Sequence, residues 1–199
     1  MSHFNQIANT WDTPEKIKLN QQYAEGIKKH LTKKDAIKIL EVGCGTGLLG
    51  SQFVHGASQL TGVDTSPGML EVFNQKFYDN KNVHSRLLNL EEQEFDEDGF
   101  DLIISSMAFH HLKEPAKMIL KLKKLLSPDG ILAIIDLDAE DGSFHPDPKQ
   151  MGVHHFGFAK ETIQSWSSAA QFKKSSREII NVIKKEQGEY PVFLAVFFN

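Results

Sequence analysis

A single cysteine, Cys44, stands in 199 residues. The chain can therefore form no internal disulfide, and it is expected to work in a reducing compartment, the cytoplasm. Positive charge is not in excess: 22 Lys and Arg against 26 Asp and Glu leave a net charge of −4. That balance excludes the whole-chain electrostatic footprint of a nucleic-acid or anionic-membrane binder. The lysine pairs Lys28-Lys29, Lys33-Lys34 and Lys173-Lys174 are scattered and read as solvated helix faces. Long apolar runs are missing too, since Tyr190 to Phe198 falls far short of the ~20 residues of a membrane helix. The opening Met1-Ser2-His3-Phe4-Asn5-Gln6 has neither the basic start nor the apolar middle of a signal peptide. What remains, 40% hydrophobic and 24% charged, suits an ordinary globular protein near the size of one domain.

What is present begins to speak at Ile37. Ile37-Lys38-Ile39-Leu40-Glu41-Val42 is rich in β-branched and apolar residues. It breaks into Gly43-Cys44-Gly45-Thr46-Gly47, and apolar residues resume at Leu48-Leu49. The order predicts a strand, a tight turn and a helix. Glycine suits such a turn because a missing Cβ permits positive φ and lets backbone approach a ligand closely. A helix start behind it would aim unpaired N–H groups into the same crevice. A dinucleotide turn reads G-x-G-x-x-G. Here Leu48 occupies the place of the third glycine, which falls one residue early at Gly47. Glu41 also speaks against a pyrophosphate, which its carboxylate would repel, whereas an ammonium group would be welcome. Next, Leu60-Thr61-Gly62-Val63-Asp64 reads as a buried strand ending in an acid. Asp64 lies 21 residues after Gly43, the offset of a carboxylate that accepts from a ribose diol. Thr65, Ser66 and Pro67 then open a helix carrying Met69, Leu70, Val72 and Phe73.

Glu41 to Gly47 closely resembles the first motif of the class I S-adenosylmethionine (SAM)-dependent methyltransferases. The resemblance extends over essentially the whole chain and is closest to the methyltransferase type 11, ubiquinone/menaquinone-biosynthesis-like group. It implies SAM as cofactor and S-adenosylhomocysteine as product. It places Glu41, Gly43, Cys44, Gly45 and Gly47 at the cofactor turn, Asp64 on both ribose hydroxyls, and Thr65 and Met69 beside the adenine. The adenine amino group is most often met by Asp in the family. Here Asn89 holds that position and its amide can still accept, with the backbone of Leu90 next to it. Ser105 and Met107 fall in the next motif, Phe100 to Met107. Cys44 is explained by small size at a crowded turn, although a thiol there could in principle be catalytic. The opening Phe4 to Asp12 resembles the N-terminal lid of small-molecule methyltransferases. Trp11 would either cover the sulfonium or methionyl end by a cation–π contact or anchor the lid hydrophobically.

The rest fits a doubly wound, Rossmann-like α/β domain with a seven-stranded, mostly parallel sheet and an antiparallel C-terminal strand. Thr13 and Pro14 start a helix with Ile17, Tyr23, Ala24, Ile27 and Leu31 on one face. Val83 to Leu90, Phe100 to Met107 and Ile131 to Asp136 read as strands, and Pro115 starts a helix ending near the turn Ser127-Pro128-Asp129-Gly130. Lys160 onward reads as a helix bearing Ile163, Trp166 and Ala170. Its opening lacks a Ser or Thr cap because Ala159 stands there. Glu178 to Lys185 and Val192 to Phe198 form a closing hairpin. Residues 1–199 are expected to be one domain, with 1–32 as N-terminal lid and helix. The acidic run Glu91 to Asp98 reads as a solvated loop. His110-His111 gives no metal signal, because adjacent residues diverge and no carboxylate or cysteine stands at ligand spacing.

The stretch 137–158 is longer than an ordinary connection and reads as a substrate lid at the sheet's carboxyl end. His154 and His155 lie on it and titrate near neutrality, which makes them the candidates for a catalytic base. Phe4, Phe109 and Phe158 are candidate substrate-binding residues for an aromatic or lipid-like acceptor. The expectation is a small-molecule substrate, no metal, no nucleic acid and no membrane span, in a monomer or homodimer. Two rivals stand beside it: a SAM-binding sensor without turnover, and an NAD-dependent oxidoreductase that Leu48 and Glu41 disfavour.

Overall fold

A computed structural model describes residues 3–33 and 35–199. Met1, Ser2 and the Lys34 of the Lys33-Lys34 pair lie outside the described residues. Thr13 caps the long N-terminal helix as its spacing predicts. Its side chain accepts from the Lys16 N–H, with Pro14 at the first position of α2 (Pro14–Lys28); a shorter helix, α1 (His3–Ile7), precedes it. Seven strands follow: β1 (Ile37–Val42), β2 (Ala57–Asp64), β3 (Val83–Leu87), β4 (Phe100–Ser106), β5 (Leu126–Leu137), β6 (Lys174–Lys185) and β7 (Gly188–Phe198). The helices α3 (Pro67–Lys76), α4 (Pro115–Leu125) and α5 (Lys160–Ala169) lie between them.

The sheet runs β3-β2-β1-β4-β5-β7-β6. Pairs from β3 through β5 are parallel, and β7 is antiparallel to both β5 and β6. Continuous apolar runs such as Ile39-Leu40 and Ile131 to Ile135 are buried because both faces of the sheet are covered. On one face Tyr23, Ile27, Phe73 and Phe77 pack against Ile39, Leu60 and Leu194. On the other Met118, Ile119, Leu122 and Trp166 pack against Leu40, Ile103 and Phe197. The chain winds one way from β1 to β3 and the other way from β4, so the crevice between the carboxyl ends of β1 and β4 is the switch point where such sheets hold ligands.

Three expectations need correction. No α-helix follows the glycine turn; the chain instead makes two 3₁₀ turns, Gly50–Gln52 and Val54–Gly56. Gly43, Gly45 and Gly47 all have positive φ, and a Cβ on Gly50 would stand 2.3 Å from Glu41 Oε2, so the segment coils tightly around that carboxylate. The anion site of a helix start is therefore absent from this turn. The third strand ends at Leu87, three residues early, after its last partner Asp64. Finally, Ser127 to Gly130 lies within β5 as an outward bulge. Phe100 pairs with Leu126 and Leu102 with Ile131, so four residues of β5 have no partner on β4. The helix α5 has no side-chain cap at Ala159, as its sequence predicts.

Candidate active site

A cavity of about 640 Å³ occupies the switch point. Its floor is the glycine turn. The half-buried Asp64 accepts from the Gly45 N–H (2.8 Å) through Oδ2 and from the Ser66 N–H (2.8 Å) through Oδ1. The first bond ties β2's last residue to the turn after β1. Burial holds the Asp64 carboxyl above its ordinary range, against the pull of these backbone bonds. Ser66 caps α3 by accepting from the Met69 N–H, and the same hydroxyl donates to Asn5 Oδ1 (2.6 Å). Asn5 Oδ1 also accepts from the Gly68 N–H.

The N-terminal segment is clasped to the floor a second time. Thr46 Oγ1 donates to Asp12 Oδ1 (2.5 Å), and Lys76 Nζ reaches both Asp12 Oδ2 (2.7 Å) and Thr46 O (2.7 Å). This brings Trp11 over the cavity, where Lys16 Nζ stands 3.3 Å from its ring centroid. The cation on that face is thus the protein's own.

Glu41 is 3% exposed, and its Oε2 has no hydrogen-bond partner among the described residues. Burial raises its pKa to about 8, against the pull of the Gly50 backbone N–H and the Lys76 charge, with the nearby Asp64 charge adding to the rise. A buried carboxyl on the cavity wall with so little hydrogen bonding favours a cationic ligand. Cys44 lies beside it, and burial followed by the charges of Glu41 and Asp64 pushes its thiol well up. A reactive thiolate is disfavoured there.

Of the predicted cofactor residues, Trp11, Glu41, Gly43, Cys44, Gly45, Asp64, Thr65, Met69, Asn89, Leu90, Ser105 and Met107 all line the cavity. Gly47 does not. Its φ is +76°, and a Cβ would meet Phe73 and Phe77 at 2.6–2.7 Å, so this glycine fits the turn onto α3. Asn89 Oδ1 already accepts from the Glu91 N–H (3.0 Å), which leaves one lone pair for a ligand. Ser105 Oγ donates to Val42 O, tying β4 to β1 under the cavity. Met107 holds a left-handed φ of +53°, turning the chain out of β4 toward the wall.

Phe4 and Phe109 also line the cavity, but Phe158 is core. Its N–H bonds Leu137 O, and its ring packs 4.9 Å from Trp166 under α5. The candidate bases His154 and His155 are likewise not brought to the wall. Both of their backbone N–H groups donate to His110 O, which pins this stretch behind the His110-His111 turn. His154 is exposed, and the His155 ring turns toward Phe158. The histidines on the wall are His110, His111 and His145. His110 Nδ1 meets Asp136 Oδ1 at 2.7 Å, both side chains being buried. Burial and neighbouring histidines hold His111 and His145 down to about 4, so both are neutral near pH 7.

Sequence reasoning also missed Glu91. It lines the cavity while its Oε1 accepts from the Lys113 and Glu114 N–H groups ahead of α4. Its carboxylate thus reaches the cavity, while Glu92, Glu94, Asp96 and Asp98 of the same run are exposed, as a solvated loop requires.

With this geometry in view, similarity to known proteins becomes interpretable. Residues 40–134 match the Methyltransferase domain family. An uncharacterized methyltransferase of Schizosaccharomyces pombe is 34% identical over 170 residues, covering 78% of this chain and 58% of the relative. A malonyl-[acyl-carrier protein] O-methyltransferase of Acetivibrio thermocellus is 31% identical over 133 residues, covering 66% of this chain and 46% of the relative. The chain thus spans about half the length of these curated relatives. Among solved structures, phosphoethanolamine N-methyltransferase 2 of Haemonchus contortus, in complex with phosphomonomethylethanolamine and S-adenosylhomocysteine, superposes with a TM-score of 0.72. It is 17% identical and covers 89% of this chain and 52% of its own.

The fold is that of a Rossmann-like methyltransferase. Residues 40–134 are thus similar to a methyltransferase domain, set in a chain that shares the fold of solved methyltransferases.

Proposed function

We propose that this chain binds SAM between the glycine turn and Asp64 and transfers its methyl group to a small-molecule acceptor. One observation carries the acceptor reading: the cavity, about 640 Å³, falls in the size range of small-ligand sites and lies beneath the N-terminal segment. The Asp64 carboxylate retains lone pairs for the ribose diol beyond its bonds to Gly45 and Ser66. Glu41, on the cavity wall, offers its buried carboxyl to the ammonium group of the cofactor's amino acid. The sulfonium is already an activated donor, so the protein's main task is alignment, which can be worth on the order of 7–11 kcal/mol.

The acceptor end is built from Phe4, Trp11 and Phe144, with Lys16 and Lys185 at its edge. Lys185 lies 3.5 Å from the Phe144 ring centroid. An apolar body carrying an acidic group suits that lining. The stretch 137–158 supplies Phe144 and His145 to the wall and serves as the acceptor's lid. Among the described residues no helix is long and apolar enough to cross a membrane, and the cytoplasm is the proposed working compartment. The test is incubation with methyl-labelled SAM and separate pools of small metabolites, protein and RNA. Label is expected in the small-molecule pool. Label confined to protein or RNA would overturn the acceptor reading, and no transfer despite tight SAM binding would leave a sensor.

A further inference from the structure

Three imidazoles, two adjacent in sequence and one from a distant loop, meet on the cavity wall. One ring nitrogen from each of His110, His111 and His145 lies within 4.8 Å of those of the other two. His110 and His145 have ring centroids 5.0 Å apart, and His111 and His145 5.9 Å. Two of the rings are held from behind. His111 Nδ1 lies 3.1 Å from Gly152 O, and a carbonyl can only accept, so the proton sits on Nδ1 and the lone pair on Nε2. His110 Nδ1 lies 2.7 Å from Asp136 Oδ1, which fixes the same tautomer while the carboxyl is ionised. Asp136 is held in turn, since its Oδ1 accepts from the Leu137 N–H and its Oδ2 from the His110 N–H. The third ring, His145, is 8% exposed and its Nδ1 is buried with no hydrogen-bond partner. A packed cluster of structural histidines has no use for that unmet nitrogen.

We propose that His110, His111 and His145 bind a divalent transition-metal ion, zinc foremost, with Asp136 and the Gly152 carbonyl as the partners that orient the first two ligands. Imidazole suits zinc, copper, nickel and iron. Three protein ligands with a fourth position open to a cavity is the pattern of a working zinc site, and a carboxylate behind a ligating histidine is its usual support. Tetrahedral zinc at 2.0–2.1 Å from each nitrogen wants donors about 3.3 Å apart. The cluster must therefore tighten on binding, by a shift of His145, which belongs to the loop between β5 and α5, toward the other two rings.

The role of the ion rests on the methyltransferase reading; its binding does not. The open position faces the acceptor end, where a hydroxyl or thiol would bond the ion and release its proton to solvent more readily than when free. The oxygen or sulfur would keep a lone pair for the methyl group.

Tag-free protein stripped with a chelator would be titrated with zinc and with cobalt(II), whose visible absorption reports its coordination. The expected result is one ion per chain with a tetrahedral cobalt spectrum. His145→Ala and His111→Ala should each weaken binding at least 100-fold, Asp136→Asn should weaken it 10- to 100-fold, and the exposed His84→Ala should leave it unchanged. Folding of each variant is checked by circular dichroism. No stoichiometric binding by the wild type, or wild-type affinity in both His145→Ala and His111→Ala, would overturn the site. SAM titration of the same stripped protein separates the two readings. Metal binding without SAM binding would sustain this site and refute the methyltransferase reading, and SAM binding without metal would do the reverse.

Discussion

Binding of SAM is expected to expel a proton from Glu41. The carboxyl is buried, its pKa stands near 8, and at pH 7 roughly nine molecules in ten hold the proton. An ammonium group docking against it favours the ionised form. If the bound pKa falls below about 6, close to one proton leaves per SAM at pH 7. The apparent affinity then rises about tenfold per pH unit, or ~1.4 kcal/mol, from pH 6 to pH 8 and levels off above 8. Calorimetry in buffers of different ionisation enthalpy reads the proton directly. Glu41→Gln keeps the shape of the side chain and should abolish both the proton release and the pH slope while weakening binding. Heats that are identical across buffers at pH 7, or an unchanged slope in Glu41→Gln, would refute the reasoning.

The same carboxyl sets a stability trend. Its folded pKa is raised, so between about 4.5 and 8 the unfolded chain sheds a proton that the native state keeps, and stability falls as pH rises through that window. Glu41→Gln lacks this loss and should be more stable than wild type at pH 8, on the order of 2–4 kcal/mol by denaturant titration; a difference between variant and wild type that is the same at pH 5 and pH 8 would contradict it, since the opposite trend from the lowered His111 and His145 is common to both. Asp64→Ala removes the acceptor for Gly45 and Ser66 as well as the proposed ribose contacts, so SAM affinity should drop about 100-fold or more, and unchanged affinity would sink the assignment. Gly47→Ala forces a Cβ onto Phe73 and Phe77 at positive φ and should cost about 2–3 kcal/mol of stability in chemical denaturation. Neither His154 nor His155 lines the cavity, so His154→Ala and His155→Ala should retain methyl transfer; lost turnover with intact SAM affinity in either would reinstate that residue as the base.

Much of the fold was legible because its signals are local. Continuous apolar runs such as Ile131 to Ile135 announce strands covered on both faces, and Thr13-Pro14 and Ser66-Pro67 announce helix starts by their own side chains. The floor of the cavity was legible for the same reason: Gly43, Gly45 and Asp64 lie at two adjacent strand ends, and their spacing brings them together. The failures are contacts that residue type and spacing do not announce. The apolar stretch after Gly47 reads as helix until Gly50 is seen pressed against the Glu41 carboxyl. His154 and His155 read as cavity residues until their N–H groups are seen bonded to His110 O. That His145, 34 residues after His111, lies beside the His110-His111 pair is likewise not announced by spacing. Phe158 cannot be told from a pocket aromatic by spacing, since only the packing of Trp166 decides it.

The most direct measurement is parallel calorimetric titration of the purified chain with SAM, S-adenosylhomocysteine and NAD. The geometry of Glu41, Gly45 and Asp64 predicts micromolar binding of the first two and none of NAD. Binding of NAD alone would contradict the reading of the glycine turn and the function built upon it.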